Sequence, residues 1–145
     1  AGVTHYISVC RAPVKIDISH FKQSGDGFCG ITYNCDDSDS MLKLYNDWMP
    51  KGLIEQEKRI ATSCVQLGIP TPLPGAIVTT GKQKGILYER IVEKRSFARA
   101  ISQEPENLEM YAKRFIKMAK QLHQTPCNTA VFPSIAEVYK GNVNK

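Results

Sequence analysis

Three kinds of residue in the first half of the chain have the types and the spacing to bind phosphate. Gly25, Gly27 and Gly30 form the pattern G-x-G-x-x-G, Lys43 lies in an otherwise apolar run, and Glu57 lies on the apolar side of a helical pattern. Glycines allow a backbone to approach a phosphate closely and to direct its N–H groups at it, and a lysine neutralises phosphate charge. We therefore predict a phosphate-covering loop with its charge partner. The alternative is a hairpin with a flexible tip.

The segment that follows the glycines decides between two uses of the motif. In a dinucleotide-binding fold the motif opens a helix, but here it precedes ITYNC, a strand-like segment over 31–35, and then the turn residues DDSD. The pattern therefore excludes the dinucleotide fold. It favours a glycine-rich β-hairpin.

Lys43 and Glu57 are predicted to form an ion pair. Alternation in the segment MLKLY places Lys43 on the same face as Met41 and Tyr45, with two leucines on the other face. Because both neighbours of Lys43 are apolar, its ammonium is expected to be partly buried, which is costly unless it is paired. Glu57 on the next helix is the predicted partner. The alternatives are a lysine whose head reaches water and a glutamate at the rim of the apolar stripe.

Periodicity and turn residues predict an α+β fold. The expected architecture is a five-stranded, mostly antiparallel sheet, with one helix packed between strands three and four and a second helix at the C-terminal end. Six segments, of which the expected sheet would use five, have strand-like patterns, at 4–10, 14–21, 31–35, 40–45, 76–80 and 86–91. The first helix is predicted over 47–67, with a stop at Gly68, and the second is predicted to begin near Glu104 after a polar connector.

Composition and length bound the class of protein. The chain has 145 residues, of which 42% are hydrophobic and 23% charged, as expected for one globular domain rather than for a disordered or fibrous chain. Neither a membrane span nor a signal peptide is indicated, so a cytoplasmic protein is expected. Five cysteines, without a C-x-x-C pair, favour free thiols in a reducing compartment. The histidines and cysteines are not spaced as metal ligands, and no metal site is predicted.

Four segments carry a resemblance to a known group of enzymes. GDGFCGITY, MLKLY, IEQEKRIATSCVQLGIPTP and GILYERI together resemble the N-terminal lobe of protein-kinase-like small-molecule phosphotransferases, the group of aminoglycoside phosphotransferases and choline kinases. The resemblance extends over about residues 15–125. It implies a kinase-like N-lobe over 1–92, and a hinge connector with the first helix of an incomplete second lobe over 93–145.

The resemblance also implies a role for ten residues and two cofactors, ATP and Mg²⁺. The glycines would cover the ATP phosphates, Lys43 would contact the α- and β-phosphates, and Glu57 would hold Lys43. Thr32 and Met41 would line the adenine site, and a hinge segment would pair with the adenine edge through its backbone. The implied nucleotide-binding residues are Gly25, Gly27, Gly30, Thr32, Met41, Lys43, Glu57, Glu89, Arg90 and Ile91.

Two departures limit what the resemblance implies. Thr32 stands where this group usually has valine, and the sequence has no H-G-D-x-x-x-x-N motif for a catalytic loop. The chain is therefore expected to be the ATP-binding lobe of an enzyme that transfers the γ-phosphate of ATP to a small-molecule hydroxyl, either a truncation or a natural fragment. No catalytic residue is assigned, and the chain alone is expected to be inactive.

Expectations about partners follow from the same resemblance and from charge. A nucleotide and, in the intact protein, a small-molecule acceptor are expected, whereas a membrane or a nucleic acid is not. Surface left by the missing lobe would allow a homodimer. The alternative is a non-catalytic binding module with the shape of a kinase lobe, which would use the net charge of +5 to bind an acidic protein or a nucleic acid.

Overall fold

The computed structural model describes residues 12–35, 39–92, 95–137 and 140. These ranges contain a six-stranded sheet, three complete α-helices, one 3₁₀ turn and further helical residues at 135–137, which confirms the α+β class. The strands are β1 (Val14–Lys15), β2 (Lys22–Gly27), β3 (Gly30–Asn34), β4 (Ser40–Tyr45), β5 (Pro74–Thr80) and β6 (Gln83–Glu89). The helices are α1 (Lys51–Gln66), α2 (Phe97–Gln103) and α3 (Leu108–Gln124), with the 3₁₀ turn at Pro105–Asn107.

The sheet differs from the predicted one in its number of strands and in one strand direction. Its strand order is β1-β5-β6-β4-β3-β2. β1 runs parallel to β5, with Val14 opposite Val78, whereas the other neighbouring strands are antiparallel. The predicted count of five strands was therefore wrong, because the sheet has six, and one of its neighbouring pairs is parallel.

Local side-chain chemistry explains why the predicted strand over 14–21 is so short. The carboxylate of Asp17 accepts hydrogen bonds from the backbone N–H and the hydroxyl of Ser19, both at 2.9 Å. The N–H of Phe21 then donates to the carbonyl of Ile18 at 3.0 Å. An aspartate that bonds its own backbone two residues on favours a turn over a ladder. The chain leaves the sheet after Lys15, and the strand predicted over 4–10 lies outside the described residues.

The glycine-rich segment and the first helix also differ in detail from the prediction. Gly25 and Gly27 lie on a full strand, β2, and Gly30 is the first residue of β3; the two strands pair through a bulge between Gln23 and Gly25. With β1 and β2 both present, α1 follows the fourth strand rather than the third. It begins at Lys51 rather than at the predicted residue 47, and Pro50 caps it without a side-chain hydrogen bond. Its end agrees with the predicted stop, since Gly68 has a φ of 74°.

The two faces of the sheet carry separate apolar clusters. Leu42 and Leu44 are buried on one face with Val78, against Ile16 and Phe21 from the segment after β1. The other face, which α1 covers, buries the four residues Tyr45, Ile54, Ile86 and Tyr88. The predicted alternation in β4 is therefore confirmed, and Lys43 lies on the face that α1 covers.

The connector after residue 94 contains a helix that the sequence analysis missed. Ser96 begins α2 by accepting a hydrogen bond from the N–H of Arg99 at 3.2 Å. Aromatic contacts join this helix to α3, with Phe97 at 6.4 Å from Tyr111 and at 5.7 Å from Phe115 between ring centroids. The predicted boundary between 1–92 and 93–145 adjoins residues 93–94, which lie outside the described ranges, and it stays a prediction.

The cysteines that the structure describes, Cys29, Cys35, Cys64 and Cys127, form no disulfide. Within the described ranges, no helix combines the length and the apolar character that crossing a bilayer requires.

Candidate functional site

The centre of the candidate site is the ion pair that the sequence predicts. Lys43 Nζ lies 2.6 Å from Glu57 Oε1, and the two side chains are 29% and 37% exposed. β4 places Lys43 on the face that α1 covers, and α1 presents Glu57 to that face one turn after the buried Ile54. The geometry therefore favours an inward-facing pair over a solvated lysine and a rim glutamate.

Two tyrosines hold this pair from the sheet side. The Tyr88 hydroxyl donates to Glu57 Oε1 at 3.2 Å, and Lys43 Nζ lies 4.9 Å from the centroid of the Tyr45 ring, a cation–π distance. Burial, followed by the negative charge of Glu57, raises the pKa of Tyr88 to about 12. Burial is also the main cause of the raised pKa of Tyr45, whose hydroxyl has no well-formed hydrogen bond within the described residues. Both phenols therefore stay neutral at physiological pH, and Tyr88 remains a donor.

The three predicted glycines have different structural reasons to lack a side chain. A Cβ on Gly30 would overlap the carbonyl oxygen of Leu44 and lie 2.8 Å from the Cα of Tyr45, so β3 and β4 could not pair there. A Cβ on Gly25 would lie 2.7 Å from the Oγ1 of Thr32, whereas one on Gly27 would make only an ordinary contact. Gly30 is thus explained by packing, and Gly27 is the glycine for which packing gives no reason.

The tip of the glycine hairpin is attached to the segment that follows β4. The side-chain amide of Asn46 donates to the carbonyl of Phe28 at 3.0 Å, and its backbone N–H donates to the carbonyl of Cys29 at 3.0 Å. The Phe28 ring meets Trp48 edge-on at 5.5 Å, although Phe28 is 86% exposed. The hairpin tip therefore contacts the segment after β4 through two hydrogen bonds and one aromatic pair.

A pocket of about 270 Å³ brings five of the predicted residues together. Its lining includes Thr32, Met41, Glu89, Arg90 and Ile91, which come from β3, β4 and the chain at the end of β6. The three glycines, Lys43 and Glu57 are outside this lining, but Lys43 is the cross-strand partner of Thr32. The ten predicted residues thus divide into a pocket, an ion pair and the glycine hairpin.

Part of the hinge backbone is already hydrogen-bonded. The N–H of Glu89 donates to the carbonyl of Leu73 at 2.9 Å, and the N–H of Arg90 donates to the carbonyl of Asp39 at 2.8 Å. The N–H of Ile91 has no such bond to the residues described here. The N–H groups of Glu89 and Arg90 are therefore engaged within the chain and are not free for a ligand in the pocket.

Sequence reasoning missed several residues of this site. Ser24, Asn34 and Pro72 help to line the pocket, and Tyr88 bonds Glu57. The signal for Tyr88 was present in the segment ILYERI, where alternation places it on the same face as Ile86. The signal for Asn34 was its spacing of two from Thr32 on one strand.

In the described part of the chain, no group of three or more His, Cys, Asp or Glu side chains could hold a metal ion. No family model, curated protein or solved structure matches this chain.

Proposed function

We propose that this chain is the ATP-binding lobe of a cytoplasmic phosphotransferase that moves the γ-phosphate of ATP to the hydroxyl of a small molecule. The observation that carries the proposal is the 2.6 Å pair of Lys43 and Glu57 on the sheet face that also bears the Thr32–Met41 pocket. The supporting features are the glycine hairpin beside β4 and the hinge segment at the end of β6.

In this proposal Lys43 neutralises the charge of the α- and β-phosphates. An ammonium has three N–H donors, and Glu57 occupies one of them at 2.6 Å. The side chain is 29% exposed, so its head is accessible to a ligand. Glu57, held in turn by Tyr88, fixes where the ammonium sits and so positions it before the nucleotide arrives.

The pocket is assigned to the adenine ring. Met41 supplies an apolar contact, and Thr32 supplies a hydroxyl where a purely apolar roof is usual for the resembled group. The Ile91 N–H is the hinge donor assigned to the adenine edge, because those of Glu89 and Arg90 are engaged elsewhere. Of the three predicted hinge residues, Ile91 would therefore supply the one N–H donor to adenine, and neighbouring backbone carbonyls would supply the acceptors.

Magnesium fits this proposal only as an ion carried by the nucleotide. The described residues offer no acidic cluster for it, and Mg²⁺ commonly binds through substrate phosphates and water. No residue of the sequence is assigned the activation of the acceptor hydroxyl, because the H-G-D-x-x-x-x-N motif is absent. Nucleotide binding is assigned to these residues, and phosphoryl transfer to the intact enzyme.

Titration of the chain with Mg-ATP tests the proposal by calorimetry. Lys43→Ala should weaken binding about tenfold or more, because a charge-assisted contact to phosphate is lost. Lys120→Ala is the control, since Lys120 is exposed on α3 and has no ion pair with a described residue. It should change the affinity by less than about twofold. An affinity insensitive to Lys43→Ala would refute the proposal.

Two further measurements separate the proposal from the non-catalytic alternative. A binding module for nucleic acid should bind a short oligonucleotide with an affinity that falls steeply as salt rises, and should not respond to Mg-ATP. In the intact enzyme, Lys43→Ala should lower phosphoryl transfer by orders of magnitude. Near-normal transfer by that variant would also contradict the assignment.

A further inference from the structure

A second cavity, larger than the nucleotide pocket, opens between α1 and the sheet. Its volume is about 820 Å³. One wall is the side of α1 that carries Lys58 and Thr62, and the other includes Ile77 of β5 and Lys84 of β6. Ile54 lies at its base but is buried, at 3% exposed, whereas Ile77 is partly exposed. Neither Lys43 nor Glu57 lines this groove, which is therefore distinct from the site described above.

The groove carries more positive than negative charge. Lys58, Arg59 and Lys84 line it, and none of the three has an ion-pair partner in the described part of the chain. Among the described lining residues the one carboxylate, Glu55, lies 3.7 Å from a lysine of the same wall, Lys51, and so is already compensated. Three cations that have no ion pair with a described residue, placed around one concave surface, attract an anion more strongly than the same charges scattered over a convex face.

We propose that this groove binds an acidic peptide segment that also carries an apolar side chain. The cations that line the groove match carboxylates, and the partly exposed Ile77 matches an apolar group. A volume of 820 Å³ falls within the range of about 300–1,000 Å³ that is typical of ligand sites and suits a short stretch of chain. The combination of apolar base and charged rim is that of a peptide-recognition groove.

The chemistry of the chain argues against its own N-terminal residues as the occupant. Residues 1–11 directly precede Ala12, which lines the groove, but they contain Arg11, His5 and no carboxylate. Their charge has the same sign as that of Lys58, Arg59 and Lys84. An acidic segment of another protein complements the groove, and the proposal is independent of nucleotide binding.

The test uses a fluorescein-labelled peptide of four glutamates and two leucines, titrated with the whole chain and followed by fluorescence anisotropy. The double variant Lys58→Glu with Lys84→Glu should weaken binding by about tenfold or more, because two attractive contacts become repulsive. The matched variant Lys117→Glu with Lys120→Glu makes the same charge change on α3 and should weaken it by less than about threefold. Circular dichroism of both variants checks that they are folded.

Two control peptides define what is recognised. Replacing the glutamates with glutamines should abolish measurable binding, and replacing the leucines with serines should weaken it about tenfold through lost apolar contact. Equal losses in the two charge variants would show an unspecific electrostatic effect and overturn the proposal. So would tighter binding of an oligonucleotide than of the peptide at the same groove, or a groove filled by a second copy, which sedimentation equilibrium would reveal as a dimer lost in the Lys58–Lys84 variant.

Discussion

The sheet with α1 and the helical segment after residue 94 bury their apolar side chains to different extents. In the sheet, Leu42, Val78 and Ile86 are at most 1% exposed. On α3, Phe115 is 58% exposed and Leu122 is 49% exposed, and Tyr111 is the buried residue of that helix. Both regions have a clear amphipathic pattern in sequence, but only the first encloses its apolar face within the described residues.

The difference teaches that an amphipathic stripe specifies a helix without specifying what covers it. The apolar side chains of α3, such as Phe115, Ile116 and Leu122, remain accessible within the described residues. The predicted homodimer through surface near this helix remains a prediction, which sedimentation equilibrium of the chain would check. The ion pairs of the two regions also differ in exposure. Lys43 and Glu57 are partly buried and contact Tyr45 and Tyr88, whereas Lys113 and Glu109 on α3 are exposed to solvent.

Truncating one leucine in each region should give the largest contrast. Leu42→Ala removes a side chain that is 0% exposed, and we expect it to lower the free energy of unfolding by about 2–5 kcal/mol. Leu122→Ala removes a side chain that is 49% exposed and should cost less than about 1 kcal/mol. Urea denaturation followed by circular dichroism measures both. Equal costs would show that α3 is covered in solution.

Two glycine-to-alanine variants test which glycine of the hairpin is required by packing. Gly30→Ala should lower the free energy of unfolding by about 1–3 kcal/mol, because its Cβ meets the backbone of β4. Gly27→Ala has room for a Cβ and should change it by about 0.5 kcal/mol or less. A Gly30→Ala chain as stable as the parent would contradict the close approach of β3 and β4.

The two ion pairs offer a smaller contrast. Glu57→Gln weakens the bond to Lys43 while keeping the side-chain shape, and we expect a loss of about 1 kcal/mol, given the partial exposure of the pair. Glu109→Gln removes an i,i+4 pair whose side chains are more than 70% exposed and should cost about 0.3–0.5 kcal/mol. A double-mutant cycle with Lys43→Met would isolate the Lys43–Glu57 coupling. A coupling free energy no larger than that of the Glu109–Lys113 pair would contradict the claim that Glu57 holds Lys43 in place.

The smallest expected effect is a pH dependence at Glu104, between α2 and α3. Its carboxylate accepts hydrogen bonds from Tyr111 at 2.5 Å and from Arg95 at 2.6 Å, with a further one from Asn107, and these bonds lower its pKa from 4.5 to about 2. Because the folded pKa is the lower one, this stabilisation is present above pH 4.5 and is lost as the pH falls towards 2.

Glu104→Gln should therefore be less stable than the parent at neutral pH, with a difference that shrinks as the pH falls below 4.5. Urea midpoints measured across that range give the comparison, and Glu109→Gln is the exposed control. A difference that does not change with pH would show that the Glu104 bonds do not persist in solution.

The sequence predicted those parts of the fold in which local pattern and burial agree. Alternation in β4 placed Lys43 and Tyr45 on one face correctly, and the Gly68 stop of α1 was correct. It failed where side chains compete with the regular ladder, as at Asp17 and Ser19, which end β1 early. The sequence pattern also failed to predict α2, because Ser96, which caps it, lies in a segment whose composition is typical of a polar connector.

For the candidate site, the sequence by itself determined the residue types, their spacing and the faces on which they lie. The order of glycines, lysine and glutamate follows from strand and helix periodicity, which is local. Only the tertiary structure decided that Glu57 meets Lys43 at 2.6 Å and that Tyr88 bonds Glu57. It also decided that residue 30 must lack a side chain, because the backbone of β4 lies where a Cβ would be. These contacts join residues distant in sequence, and their geometry depends on how α1 packs on the sheet, which no local pattern specifies.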